Sequence, residues 1–264
     1  RFIRHCRWLL EQDVGLAVFG TNSEANSLSV AEKRSLLEQL LAAGIPAARL
    51  MPGTGACALP DAIELTRHAV KAGCAGVLML PPFYYKGVSD EGLFRAFAQV
   101  IDAVSDDRLR IYLYHIPPVS GVPITLTLIE RLLKAFPGII AGTKDSSGDW
   151  VHTSATLQRF QPLGFDVFAG SENYLLATMR VRLYQTWQNP DADAQQKKLD
   201  EQRAAFAKFP MIPAMKSAIA LKTGRIDWIH VRPPLVELDD TQRLALGQAL
   251  DQAGFVMPNA HQLA

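Results

Sequence analysis

Short apolar, β-branched runs alternate with longer stretches whose apolar positions recur at helical spacing. The pattern predicts strands near Val14–Gly20, Arg49–Pro52, Gly76–Pro81, Arg110–Ile116, Ile139–Lys144 and Asp166–Gly170. Helices are expected between them. Arg1–Gln12 is helical in pattern, and Ser29–Ala43 places Leu36, Leu37, Leu40 and Leu41 on one face before stopping at Gly44. Ser29 and Glu32 have the spacing of a capping box. Further helical patterns cover Pro60–Ala72, Ser89–Val104 and Thr125–Phe136.

Repetition of a strand and a helix at roughly 30-residue spacing indicates a parallel α/β fold. A barrel is favoured over an open sheet because the polar motifs fall at successive strand ends. Beyond residue 180 the composition turns helical over Val181–Phe209, Ile212–Thr223 and Asp239–Ala253, with Pro233-Pro234 between the last two. The expected organisation is a catalytic barrel over 1–180 and a helical region over 181–264, the latter serving packing and assembly.

Composition narrows the classes of function. With 264 residues, 48% of them hydrophobic, and a net charge of +1, the chain can bury a large core and has no electrostatic reason to bind nucleic acid. No apolar run reaches the ~18 residues of a membrane span, and no secretory pattern opens the chain. Cys6, Cys57 and Cys74 are an odd set without C-x-x-C spacing, as expected of reduced thiols in a cytoplasmic protein. The six histidines are scattered, so no metal is expected.

Lys144, in Ile139-Ile-Ala-Gly-Thr-Lys-Asp-Ser-Ser-Gly148, ends an apolar strand-like run. Desolvation disfavours a lysine's charged form and releases the neutral amine, which attacks a ketone to give a Schiff base. The bland alternative is a lysine that leaves the sheet for water. Two other segments supply what an imine-forming site needs. In Val18-Phe-Gly-Thr-Asn-Ser-Glu24 a strand runs into a polar turn whose N–H groups and hydroxyls can hold a carboxylate, although ordinary strand-to-helix loops share that composition. Arg110-Ile-Tyr-Leu-Tyr-His-Ile-Pro-Pro-Val-Ser-Gly121 is a strand ending in a phenol, Tyr114, and a proline-rich turn; the phenol is able to pass a proton or simply to pack. A competing match, Gly53-Thr-Gly-Ala-Cys-Ala58, fits the dinucleotide fingerprint G-x-G-x-x-A. It lacks the acidic residue roughly 20 positions on, where Leu78-Met-Leu-Pro-Pro82 stands.

These segments together resemble the dihydrodipicolinate synthase/N-acetylneuraminate lyase family of Schiff-base aldolases. Gly20-Thr21-Asn22-Ser23-Glu24 stands for the family's Gly-Thr-Thr-Gly-Glu, Tyr114-His115-Ile116-Pro117 for Tyr-Asn-x-Pro, and Gly142-Thr143-Lys144-Asp145 for the Gly-x-Lys segment. Supporting matches are Met51-Pro-Gly-Thr-Gly55, Pro81-Pro-Phe-Tyr-Tyr85, Gly170-Ser-Glu172 and Val231-Arg-Pro-Pro-Leu235. The resemblance implies a (β/α)8 TIM barrel with a C-terminal helical extension.

The resemblance also implies roles. Lys144 forms the imine with pyruvate or another 2-oxo acid, and an aldehyde is the second reactant. The imine itself is the electron sink, so no separate cofactor is expected. Thr21 and the N–H groups around Thr21 and Asn22 hold the carboxylate. Tyr114 shuttles the proton, linked through Thr21 to a tyrosine, Tyr84 by direct alignment or Tyr85 with one insertion, which family members insert into a neighbouring subunit. A homo-oligomer, a dimer of dimers, follows from the same resemblance.

Departures from the family pattern bear on the substrate. Val119 occupies the position of the arginine with which lysine-pathway synthases grip a second carboxylate, and Asn22, Ser23 and His115 replace Thr, Gly and Asn. The expectation is a pyruvate-dependent aldolase or lyase. Dihydrodipicolinate synthesis and a non-catalytic 2-oxo-acid sensor are the alternatives. Two of the family's eight strands lack counterparts: the first, and the glycine-rich one after Gly-Ser-Glu, expected near Met179-Arg180 and Val181-Arg182. The preferred reading is that pieces of the natural chain are missing, with Arg180 and Val181 not true neighbours. A real double deletion would leave exposed edges and an open core.

Overall fold

The computed structural model describes residues 1–174, 190 and 192–263. Arg180 and Val181, and the stretch in which the glycine-rich strand was expected, lie outside the described residues. The chain opens with helix α1 (Phe2–Leu10), which buries Cys6 and Trp8. Regular strands then form as β1 (Val77–Met79), β2 (Ile111–His115), β3 (Ile140–Asp145) and β4 (Asp166–Ala169), paired in parallel and in chain order.

The two earlier expected strands are present as extended segments tied by single parallel bridges, Leu16 to Leu50 and Gly53 to Leu78. Their hydrogen bonds run Leu16 N to Arg49 O (2.8 Å), Met51 N to Leu16 O (2.9 Å), Gly53 N to Val18 O (2.7 Å) and Leu78 N to Pro52 O (2.9 Å). Pro52 has no N–H to extend a ladder, and Phe19 turns left-handed with φ 59°, so neither segment becomes a regular strand. The six segments still lie side by side in sequence order, as a barrel wall requires. Among the described residues, backbone pairing does not join the Leu16 segment to β4.

Helices α2 (Val30–Ala42), α3 (Leu59–Lys71), α4 (Asp90–Val104), α6 (Leu126–Ala135) and α7 (Trp150–Phe160) connect these segments, with a one-turn α5 (Pro117–Ser120) after β2. The Ser29–Glu32 capping box is present, with Ser29 N donating to Glu32 Oε2 (2.9 Å) and Glu32 N to Ser29 Oγ (3.2 Å). Gly44, at φ 82°, turns the chain out of α2 as the sequence predicts. Helix α7 fills the interval between the last two expected strands, where the sequence pattern marks no helix bounds. Its inward face carries Thr153 and Thr156 beside Leu157 and Phe160, so the apolar periodicity is broken by buried hydroxyls.

The sheet separates two apolar clusters. Val77, Met79, Ile111, Leu113, Ile140 and Val167 face the helices, while Leu78, Tyr112, Tyr114 and Ile116 gather with Met51 and Leu80 on the other side. Helices α8 (Ala192–Ala207), α9 (Met211–Thr223) and α10 (Asp240–Gln252) form a third cluster, in which Ala205, Ala214 and Ala218 meet Leu246 and Leu250. Among the described residues no helix is long and apolar enough to cross a membrane, and the three cysteines are unpaired.

The glycines of the dinucleotide-like match have a packing role. A Cβ on Gly53 would lie 2.0 Å from the Phe19 carbonyl oxygen, and one on Gly55 2.3 Å from Leu80 backbone atoms. Their neighbours are backbone, which cannot swing away. Gly53→Ala is therefore expected to destabilise the fold by roughly 2–4 kcal/mol. Urea unfolding followed by circular dichroism checks this, and an unchanged midpoint would contradict the close approach.

Candidate active site

Parallel pairing sets Tyr114 of β2 directly opposite Lys144 of β3, and His115 opposite Asp145. Because successive side chains of a strand point to opposite faces, the first pair looks inward and the second toward the helices. On the inner face the Lys144 amine donates to the Tyr114 hydroxyl at 3.4 Å and stands 4.5 Å from the centre of its ring. The same hydroxyl lies 3.2 Å from Thr21 Oγ1. Lys144, Tyr114 and Thr21, chosen from three separate segments, thus form one polar chain. Tyr114 is buried and Lys144 and Thr21 are half-buried, so the chain has access to solvent at its two ends.

Thr21 sits in a one-turn helix, Thr21–Ser23, that leaves the first barrel segment. Its i to i+3 bonding joins Ser23 N to Gly20 O and Glu24 N to Thr21 O, and leaves the N–H groups of Thr21 and Asn22 without a partner inside the turn. Asn22 is exposed beside them. Phe19 and Glu24, both left-handed at φ 59° and 55°, bracket this turn. For a buried phenylalanine that conformation is costly, and it aims the chain from the barrel wall toward Tyr114.

Glu24 clamps the turn to the C-terminal helices. Its carboxylate pairs with Lys216 of α9 and accepts from Arg232 N at 2.6 Å. The Arg232 guanidinium donates to Ser27 O (3.0 Å) and pairs with Glu32 at 2.8 Å. Sequence reasoning registered Glu24 and Arg232 only as motif letters.

Tyr84 and Tyr85 do not join the chain of hydroxyls formed by Thr21, Tyr114 and Lys144. They are 74% and 73% exposed, edge to face at 5.3 Å, on a loop held by Lys86, whose amine donates to Phe83 O and, at 2.6 Å, to Ser120 O. Val119, also on this rim, is 62% exposed.

Behind the site, on the helix-facing side, lies a polar cluster that sequence reasoning missed. Asp145 has a fully buried carboxylate, which receives Ser147 N (2.9 Å) on Oδ1 and Thr153 Oγ1 (2.9 Å) and His152 Nδ1 (2.9 Å) on Oδ2. His152 Nε2 meets Ile124 O at 3.1 Å, and Ile124 N donates to His115 Nδ1 at 2.9 Å. The two imidazoles stack at 4.2 Å. Burial pushes the His115 imidazole down to about 4. Burial works to raise Asp145, but the bonds from His152 and Ser147 outweigh it and hold the carboxyl at about 2. The hydrogen bond to Asp145 raises His152 above its usual value, against the effect of burial.

His115, Asp145 and His152 offer ligand atoms within 4.8 Å of one another, the grouping a metal ion uses. The donor set does not suit one. His115 Nδ1 already accepts an N–H, and His152 turns both nitrogens toward protein oxygens, so three of the ring nitrogens of the pair are engaged with protein groups instead of converging on a shared ion.

Residues 4–253 match the model of the dihydrodipicolinate synthetase family. The chain belongs to that family. A relative described as an uncharacterized DapA-like lyase, from Chloroflexus aurantiacus, is 32% identical over 90% of this chain and 84% of its own length. The crystal structure of dihydrodipicolinate synthase from Agrobacterium tumefaciens superposes with a TM-score of 0.81 at 31% identity, covering 90% of this chain and 87% of that one. Escherichia coli YagE, named a putative 2-dehydro-3-deoxy-D-gluconate aldolase, is 27% identical over 90% of this chain and 85% of its own. The dihydrodipicolinate synthetase fold is the TIM-type α/β barrel, and its members are lyases, so the expected fold class and enzyme class both hold.

The buried cluster makes stability depend on pH. Asp145, held near 2 in the folded chain, contributes fully above its unfolded value of 3.8 and loses that contribution as pH falls through about 2. His152, raised when folded, contributes fully below 6.5 and loses it as pH rises through the raised value. Asp145→Asn is expected to cost roughly 3 kcal/mol at neutral pH, because it leaves His152 without its counter-ion. It is also expected to flatten the alkaline decline. Urea titrations from acid to alkaline pH test both, and a parallel pair of profiles would contradict the ion pair.

Proposed function

We propose that this member of the dihydrodipicolinate synthetase family is a pyruvate-dependent class I aldolase or lyase that works through a Schiff base on Lys144. The observation that carries this reading is the contact of the Lys144 amine with the Tyr114 hydroxyl at 3.4 Å, continued to Thr21 at 3.2 Å. An amine beside a phenol that is itself linked to a hydroxyl chain is the arrangement that imine formation needs. A lysine kept only for solubility gains nothing from it.

In the forward direction the neutral Lys144 amine attacks the keto carbon, and the carbinolamine loses water to give a protonated imine. Tyr114 supplies the proton to the departing oxygen and regains one through Thr21. Loss of a proton from C3 gives the enamine, whose carbon attacks the aldehyde carbonyl. The reverse sequence breaks that bond. The free N–H groups of Thr21 and Asn22 hold the carboxylate, and the imine nitrogen accepts the electron pair, so no further cofactor is needed for the chemistry.

The substrate reading favours an aldehyde without a second carboxylate at the rim, because Val119 offers no charge there. YagE supports a sugar-acid-like or hydroxy-oxo-acid class; that protein has been solved in complex with pyruvate. The second reading, 4-hydroxy-tetrahydrodipicolinate synthase, is favoured by the name of the Agrobacterium neighbour and opposed by Val119. A 2-oxo-acid sensor is a weaker third, since binding alone does not call for Lys144. The proposal extends to a cytoplasmic homo-oligomer in which Tyr84 completes a neighbour's proton path, residues 1–180 carry the chemistry, and 181–264 serve assembly.

Incubation with pyruvate and then borohydride should add one reduced pyruvyl group, mapped by peptide mass to Lys144. Lys144→Arg should abolish the adduct, because guanidinium cannot replace the amine. Tyr114→Phe should retain it while slowing turnover by about 10²-fold or more. An adduct on another lysine, or turnover by Lys144→Arg, would refute the mechanism; clean trapping without turnover over a broad aldehyde panel would favour the sensor. Light scattering at micromolar concentration tests the oligomer, and Tyr84→Phe should then slow turnover about tenfold or more with the adduct intact.

A further inference from the structure

We propose that His152 is a positioning residue whose imidazolium locks the ends of β2 and β3, so that the Lys144 amine and Tyr114 hydroxyl meet only while His152 is protonated. This rests on the Lys144–Tyr114 reading of the site and adds a residue that touches neither substrate nor reacting atoms.

Hydrogen-bond chemistry fixes the charge of each ring. His152 Nδ1 is 2.9 Å from Asp145 Oδ2 and Nε2 is 3.1 Å from Ile124 O. A carboxylate and a carbonyl oxygen can only accept, so both ring nitrogens must carry a proton. His115 is the opposite case. Its Nδ1 accepts the Ile124 N–H, which makes it the neutral ring with its proton on Nε2. Ile124, fully buried, thus has its N–H held by one imidazole and its carbonyl by the other, while the rings stack at 4.2 Å.

The lever to the site is covalent and short. His115 follows Tyr114 on β2, Asp145 follows Lys144 on β3, and the two pairs are in register. The groups facing His152 are Asp145 from β3, neutral His115 from β2, the Ile124 carbonyl from the segment before α6, and Asp149, which caps its own helix α7. Thr153 shares the Asp145 oxygen. Both nearby charges are negative, so the site favours the cation. A neutral His152 has one proton for two acceptors and must release either the Asp145 carboxylate or the Ile124 carbonyl, both in buried surroundings. Release of Asp145 frees the end of β3, and release of the Ile124 carbonyl breaks the tie that runs from Asp145 through His152 and Ile124 to His115 of β2; either loosens the pair of strand ends that carry Lys144 and Tyr114.

Exchange of the pyruvate methyl protons for deuterium reports enamine formation without knowledge of the aldehyde, and its kcat and KM can be followed from pH 6 to 10 on the full chain. The wild-type rate should fall on the alkaline side. His152→Gln should lower kcat roughly tenfold or more with KM for pyruvate nearly unchanged, and should lose that alkaline limb. His152→Arg, a permanent cation with several donors, should recover much of the rate and hold it to higher pH. Nitrogen-15 spectra of histidine-labelled wild-type protein should show His152 doubly protonated and His115 as the Nε2–H tautomer at neutral pH. A neutral His152 in those spectra, equal kcat and the same alkaline limb in His152→Gln, or stoichiometric zinc uptake lost in His115→Ala would overturn the inference. Absence of any borohydride adduct in the wild-type protein would instead bring down the Schiff-base reading itself.

Discussion

The register between β2 and β3 is the constraint on which the rest of the molecule depends. Past the irregularity between Ile111 and Tyr112, fixing one residue opposite another fixes each following side chain of both strands to a face. Tyr114 against Lys144 therefore brings His115 against Asp145 as its consequence. One pair builds a polar chain toward Thr21, and the other builds a buried ionic cluster among the helices. A slip of one residue would exchange the two faces, driving the Lys144 ammonium into the helix-facing core and turning Asp145 inward. The polar cluster raises the cost of that slip, because each of its members is hydrogen-bonded only in this register.

The remaining wall is held by close contact instead of regular ladders. Leu16, Leu50, Gly53 and Leu78 are joined by bridges, and the approach of Phe19 to Gly53 is closer than any side chain would allow. That approach is what places the Thr21 turn above Tyr114. The left-handed Phe19 has a conformational cost, and the burial of its ring in the main core offsets it. At the far side of the turn, Glu24, Lys216 and Arg232 bind the loop to segments some two hundred positions away, so the C-terminal region supports the Thr21 turn.

Membership of a lyase family and the inner-face geometry agree on the kind of chemistry, and the rim is where this chain departs. Exposed Val119, Tyr84 and Tyr85 give the mouth an aromatic and apolar character, with the Lys86 amine turned into backbone carbonyls instead of toward the opening. In a barrel of this kind the loops at the rim are where specificity varies, while Lys144 and Tyr114 sit deeper on the strands.

Much of this was legible in the chain itself. Alternation of apolar runs with helical periods gave the order of the parallel segments, and caps such as Ser29 with Glu32 marked helix starts, because these signals are local. Lys144, Tyr114 and Thr21 were legible as residue types at strand ends. Helix α7 was hidden because Thr153 and Thr156 interrupt its apolar stripe, and His152 was hidden with it. The G-x-G-x-x-A match was legible as a pattern but not as what it is, since only the distance from Gly53 to Phe19 reveals a packing role. Sequence alone thus determined most of the elements, their order and the candidate reactive groups, all of which follow from local spacing and side-chain chemistry. The tertiary structure alone decided which histidine meets two oxygen acceptors, which carboxylate is buried and what clamps the Thr21 turn. Those properties depend on which acceptor meets which donor, some within a few positions, as Asp145 with His152 and Thr153, and others across 28 to 208 positions of chain, and no apolar periodicity encodes that meeting.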